Sequence, residues 1–146
     1  MLPRLPWLID HFRDGGLIKF VNVIDDNGNP MPYTDIGSQL AASAVTWDDL
    51  KWIKNAWGDD NPLIVKGVHC AHDARKAEEL GATGVIWSNH GGRQQDRVPP
   101  ALHIVAKEMP LVGETNLDFM MDGGIRNGTD ILIALSYGLK AVGVGR

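Results

Sequence analysis

The chain has 146 residues, 44% of them hydrophobic and 22% charged, with a formal net charge of −4. That is the composition of an ordinary soluble domain, and it argues against a general nucleic-acid binder, which needs a basic face. Cys70 is alone, so no internal disulfide can form and a reducing, cytoplasmic setting is expected. No apolar run approaches the roughly 20 residues of a membrane span, and "MLPRLPWLIDHF" lacks the continuous apolar stretch of a signal peptide.

In chain order, residues 13–45 carry "DGG" and "DDNGNPMP" and few periodic positions. They predict a long excursion with little regular structure, save a short strand within 17–24. "TWDDLKWIKNAWG" (46–58) predicts a helix, with Thr46 as cap and Asp49 three residues on; Leu50, Ile53 and Trp57 share one face. Trp7, Trp47, Trp52 and Trp57 are expected to serve packing. From residue 62 strands and helices alternate. "PLIVKGV" (62–68) is a short branched apolar run, a buried strand. "HDARKAEELG" (72–81) is helical, stopped by Gly81. "GVIWS" (84–88) is the next strand, with Trp87 on a wall or helix-facing side. "PPALHIVAKEM" (99–109) is a helix opened by proline. "LDFMMDGG" (117–124) is a strand running into a glycine turn, "GTDILIALSYG" (128–138) a helix, and "AVGVGR" (141–146) a last strand. "LGATGVIWS" and "YGLKAVGVG" form a weak internal repeat of the same helix-to-strand passage. This is a parallel α/β array of about four βα units; a doubly wound sheet and a (β/α) barrel both fit.

Chemistry-bearing residues gather at the carboxyl ends of the strands: Lys66, then "SNHGGR", then "DGGIR", then "GR". Both candidate folds build their sites there. "DGGIRNGTD" with "GVGR" suits a phosphate, since glycines let backbone approach an anion and a helix starts near Gly128; Arg126 and Arg146 add charge. The plain alternative is a tight turn with two surface arginines. His90 has the pKa range of a general base, against the alternative of a loop histidine bonding a carbonyl. Arg93 presents a planar fork suited to a carboxylate. Lys66 lies inside an apolar strand and needs an anionic or electron-rich partner, unless it snorkels out. His69 and His72 flank Cys70 without a second ligand pair; they read as loop residues, and no metal is expected.

"IVKG", "GVIWSNHGGRQQD", "DGGIRNGTD" and "AVGVGR", in this order and spacing, resemble the FMN-dependent α-hydroxy acid dehydrogenases and oxidases, among them L-lactate dehydrogenase, mandelate dehydrogenase and glycolate oxidase. The resemblance covers residues 46–146 well and the N-terminal stretch more loosely. It implies the C-terminal half of a TIM (β/α)8 barrel, strands five to eight, with 13–45 as an insertion. It implies oxidation of an L-2-hydroxy acid to the 2-oxo acid. His90 would be the catalytic base and would bind substrate with Arg93. Lys66 would face the flavin and Ser88 would touch FMN. Asp122 would reach the ribityl hydroxyls. Gly123, Gly124, Arg126, Gly145 and Arg146 would hold the cofactor phosphate, and Ile125 would also border the cofactor.

Two departures stand out: Gln95 where the family has leucine, and Trp87 where it has a smaller residue. The resemblance also implies that four preceding strands, with an orienting aspartate and a substrate-binding tyrosine, lie outside this sequence. Met1 is then an internal methionine, and the isolated chain is expected to be inactive. The alternative is a non-catalytic half-barrel that binds phosphate or FMN, or that associates with another chain. The electron acceptor (oxygen, quinone or a cytochrome) stays open, as does peripheral membrane contact; the full-length form is expected to be a homo-oligomer.

Overall fold

The computed structural model describes residues 4–13, 19–25, 27–32, 36 and 45–145. They fall into two compact units, Met1–Val45 and Thr46–Arg146. The first holds helix α1 (Leu5–Arg13) and strands β1 (Lys19–Ile24) and β2 (Pro30–Pro32), which pair antiparallel. The strand within 17–24 is therefore present, but the expectation of little regular structure fails for 19–32. The reason is turn chemistry. The Asp25 carboxylate accepts from Asn27 N (2.9 Å) and Asn29 N (2.8 Å), and Gly28 at φ +80 donates its N–H to Asp25 O. An aspartate bonding its own downstream backbone makes a turn without any hydrophobic period.

The second unit runs α2 (Trp47–Trp57), β3 (Ile64–Val68), α3 (Ala71–Glu79), β4 (Gly84–Trp87), a short 3-10 turn (His90–Gly92), α4 (Ala101–Val112), β5 (Asp118–Asp122), α5 (Gly128–Ser136) and β6 (Ala141–Gly143). The strands form one parallel sheet in the order β3-β4-β5-β6. Neighbours in sequence are neighbours in space. A doubly wound sheet reverses its strand order at a switch point, and no reversal occurs here.

One face of the sheet is covered. Val85, Trp87, Phe119 and Met121 alternate along β4 and β5 and are buried with Ala74, Ala77, Ile104 and Val105 of α3 and α4. Trp87 is fully buried and stacks on Phe119 at 6.0 Å between centroids, the helix-facing role expected of it. The other face carries Ile64, Lys66, Ile86 and Met120, none of them buried.

Two expectations are corrected. Helix α4 does not stop at Met109 but continues through Pro110 to Val112. Its final carbonyls gain a partner, since the Arg75 guanidinium donates to Leu111 O (2.7 Å) and Val112 O (3.3 Å). The tryptophans outside the sheet are not core residues: Trp7, Trp47, Trp52 and Trp57 are all more than one-third exposed, although Trp7 stacks on His11 at 5.2 Å between ring centroids. Two of them find surface partners for their polar edges, Trp52 Nε1 donating to Asp49 Oδ1 and Trp57 Nε1 to Pro62 O. In α2 the expected face is only partly sheltered, with Leu50 and Ile53 half-buried. Its expected N-terminus holds, because the Asp49 carboxylate accepts from Thr46 N (2.7 Å) and Thr46 Oγ1 (2.8 Å).

Close strand approach at Gly84 yields a test. A Cβ there would lie 2.8 Å from Asp118 O, which neither strand can relieve without shifting. Gly84→Ala is expected to destabilise by about 1–3 kcal/mol, the range for overpacking a well-packed site. Gly128→Ala, where a Cβ meets nothing within 4 Å, should be neutral or slightly stabilising. Urea midpoints of the two variants check the contrast.

Candidate active site

Parallel register builds the site. Lys66, Ile86 and Met120 lie side by side on β3, β4 and β5, and strand residues two apart share a face. Ser88 and Asp122 therefore emerge on the same side as Lys66, one step nearer the carboxyl ends. The lysine stem is long enough to close that step. Lys66 Nζ donates to Ser88 Oγ at 2.8 Å and pairs with Asp122 Oδ2 at 3.0 Å. The anion that Lys66 needs thus comes from within the chain.

Ser88 is the buried polar hub, 1% exposed. Its Oγ accepts from Lys66 Nζ and from His90 N at 3.0 Å. Burial works to raise the Asp122 carboxyl's pKa. Hydrogen bonds from Ser88 and Lys66, with the charges of Lys66 and His90, outweigh it and hold the carboxyl below its ordinary range. Asp122 Oδ1, by contrast, is buried with no hydrogen-bond partner. It is an acceptor aimed at a donor that the described residues do not supply.

His90 sits at φ +55, the left-handed region that non-glycine residues rarely occupy and that clusters at functional sites. Gly91 and Gly92 follow at φ +67 and +71. The segment is pinned locally: Gly91 N donates to Asn89 Oδ1, Gly92 N to Asn89 O, and Asn89 Nδ2 to Pro99 O. Three consecutive left-handed residues explain the two glycines of "SNHGGR", because only glycine takes this conformation without a Cβ penalty.

These elements wall a cleft of about 340 Å³ at the strand ends. Of the residues singled out from sequence, Lys66, His90, Arg93, Asp122, Gly123, Gly124, Ile125 and Gly145 line it together. Three do not. Ser88 lies beneath it, spent on Lys66 and His90. Arg126 is exposed and is not among the lining residues. Its backbone N–H, like that of Asn127, goes to the Asp130 carboxylate, which closes the start of α5. Arg146 lies outside the described residues.

Sequence reasoning missed Gly91, Gly143 and Val144, which also line the cleft. Gly143 had a readable signal in the "GVG" pattern but no stated reason. The reason is steric: a Cβ on it would stand 3.0 Å from Asp122 Cβ. His69, read as a loop residue, bonds Ser88 O through Nε2 at 2.7 Å. No group of three or more metal-binding side chains occurs among the described residues.

The depressed Asp122 carboxyl sets a pH dependence. A carboxyl whose native pKa lies below its unfolded value of ~4 stabilises above that value and loses the contribution as pH falls through the native pKa. The two side chains keep 41% and 30% exposure, so the pair is worth on the order of 1 kcal/mol or less. Asp122→Asn should be slightly less stable than the parent at pH 6 and should converge on it below pH ~4. Chemical denaturation at the two pH values measures this.

The family described as FMN-dependent dehydrogenase matches residues 10–146. The 2-hydroxyacid oxidase of Dictyostelium discoideum is 44% identical over 133 residues, covering 91% of this chain and 29% of that protein. A crystal structure of mandelate oxidase with benzoyl-formic acid superposes with a TM-score of 0.62 at 38% identity, over 69% of this chain and 29% of that one. The monotopic membrane protein (S)-mandelate dehydrogenase superposes with a TM-score of 0.73 at 30% identity, over 97% of this chain and 36% of its own. The chain thus spans about a third of the length of the proteins it matches. A match running from the first unit to the last strand, on top of a cleft built from the residues that carry the resemblance, establishes that this chain belongs to the family of FMN-dependent dehydrogenases.

Proposed function

We propose that the chain forms the His90 and Arg93 side of a site that oxidises an L-2-hydroxy acid to the 2-oxo acid with FMN. The observation that carries this is the convergence of a cation, a base and an anion fork on one cleft. Lys66 comes from β3, and His90 and Arg93 come from the turn and loop that follow β4, yet all three share its wall.

The cleft suits the cofactor. Asp122 Oδ1, buried and unpartnered, is an acceptor that a sugar-alcohol hydroxyl would satisfy. Gly124 and Gly145 border the cleft with open space where a Cβ would be, so backbone N–H groups are accessible to a phosphate. Bound FMN supplies the two-electron acceptor.

The chain's residues supply the rest. Lys66 places a fixed positive charge at the cleft wall, where it favours any negative charge that develops nearby. Arg93 holds the substrate carboxylate in a bidentate fork. His90, exposed at the cleft rim, takes the proton released on oxidation. Its backbone is held by Ser88 and the adjoining turn, which is the pre-organisation that a general base needs. The strands that complete a barrel around this half, and the orienting aspartate among them, belong to the same proposal.

The test uses the FMN-loaded protein with a relative's remaining barrel strands supplied as a chimera. Adding lactate or mandelate anaerobically should bleach the flavin band. His90→Gln should abolish bleaching while FMN stays bound, and a general base of this kind accounts for about 10²–10⁴-fold in rate. Arg93→Lys should chiefly raise the substrate concentration needed, since lysine cannot form the fork. Full-rate bleaching in the His90→Gln protein would remove His90 from the chemistry.

We further propose peripheral membrane contact through the first unit. Leu5, Ile9 and Phe12, on one face of α1, are 69%, 44% and 71% exposed, with Arg4 and Arg13 at its two ends. An amphipathic helix with basic flanks suits an anionic lipid interface. The mandelate oxidase match covers 69% of the chain, whereas the match to the monotopic membrane protein covers 97%. No described helix is long and apolar enough to cross a membrane. Phe12→Asp is expected to reduce co-sedimentation with anionic vesicles about tenfold or more, given the cost of placing a charge among apolar contacts; unchanged sedimentation argues against this surface.

A further inference from the structure

The carboxyl end of β4 leaves a polar group that the sheet does not satisfy. The β3–β4 ladder ends at Val68↔Trp87, after a shift that follows Lys66↔Ile86. Ser88 comes next, 1% exposed, and a buried carbonyl without a donor is costly. His69, the first residue beyond β3, supplies the donor: its Nε2 lies 2.7 Å from Ser88 O. A carbonyl only accepts, so Nε2 carries the proton. The imidazole acts as one more rung of the ladder.

This rung fixes more than one carbonyl. The Ser88 C=O belongs to the peptide plane leading into Asn89 and His90. The same serine's Oγ accepts from His90 N, and His90 occupies the strained φ of +55. A strained residue persists only where its surroundings over-determine it. Turn bonds within 88–92 do part of this. Lys66 to Ser88 Oγ, Asn89 to Pro99 O and His69 to Ser88 O tie the turn to other parts of the fold. Of these, only His69 grips the main chain of Ser88.

We propose that His69 is a positioning residue for His90, acting through the Ser88 main chain. The catalytic meaning of this rests on the proposed function; the bond network does not. Away from Ser88 the half-buried ring borders a second cavity of about 270 Å³, shared with Val98, Pro99 and His103. A side chain of similar length can therefore replace the ring without a clash. Glutamine can present an Nε2 donor at comparable reach; leucine fills similar space with no donor.

The experiment uses the whole chain and needs neither FMN nor turnover. Nitrogen NMR of the imidazoles should show His69 protonated at Nε2. Amide hydrogen exchange at His90 should speed up roughly tenfold in His69→Leu, the equivalent of one net buried hydrogen bond. Exchange at Val85 and Val105 should not change, and His69→Gln should restore His90 to the parent rate. The proposal is overturned by an Nδ1-protonated neutral ring, by an unchanged His90 rate in the leucine variant, by equal loss at Val85 and Val105, or by failure of glutamine to rescue. Failure of the flavin-bleaching test with this exchange pattern intact would remove the role of His90 and leave its positioning by His69 standing.

Discussion

The site depends on one ammonium group. Lys66 Nζ reaches from β3 to Ser88 after β4 and to Asp122 on β5, so three adjacent strand ends are tied by a single cation. Each partner has a reason to need it. The Asp122 carboxylate is drawn toward protonation by burial and is kept charged by the hydrogen bonds and positive charge around it. The Ser88 hydroxyl, almost fully buried, uses its acceptor capacity on Lys66 and His90. The pair remains partly solvated, so its importance is geometric more than energetic. It sets where the cation stands relative to the cleft.

Around this anchor the backbone alternates between permissive and pinned. Gly91, Gly92, Gly123 and Gly124 all take positive φ, which keeps Cβ atoms away from the loops that border the cleft. Such backbone has little intrinsic preference for one shape. The pins are side chains: Asn89 bonds the turn that follows it, Ser88 takes the His90 amide, and Asp130 takes the amides of Arg126 and Asn127. The amides of Arg126 and Asn127, just before α5, are taken by a carboxylate of that same helix.

Among the described residues, one face of the sheet is buried and the other is not. The alternating Val85, Trp87, Phe119 and Met121 are buried under α3 and α4, while Ile64, Ile86 and Met120 on the opposite face are not. A parallel sheet ordinarily has both faces covered. The uncovered face is also the one from which Lys66 and Asp122 rise.

The sequence by itself determined the succession of elements in 46–145 and the identity of most cleft-lining residues. Apolar runs of strand length, proline starts and glycine stops are local signals, and motifs such as "SNHGGR" and "DGGIR" fall at the ends of those runs. It did not determine the hairpin of 19–32, because an aspartate-bonded turn leaves no hydrophobic period. Nor did it show that helix α4 passes Pro110, since the compensating Arg75 lies on another helix. Only the tertiary structure decided how the polar residues pair. Lys66 called for an anion, but nothing local to it names Asp122, 56 positions away in sequence. The parallel register across β3, β4 and β5 makes that choice. For the same reason His69 looked like an ordinary loop histidine. Its role exists only where the ends of two strands are brought side by side, and hydrogen-bond partners across a sheet are set by register, which no short stretch of sequence contains.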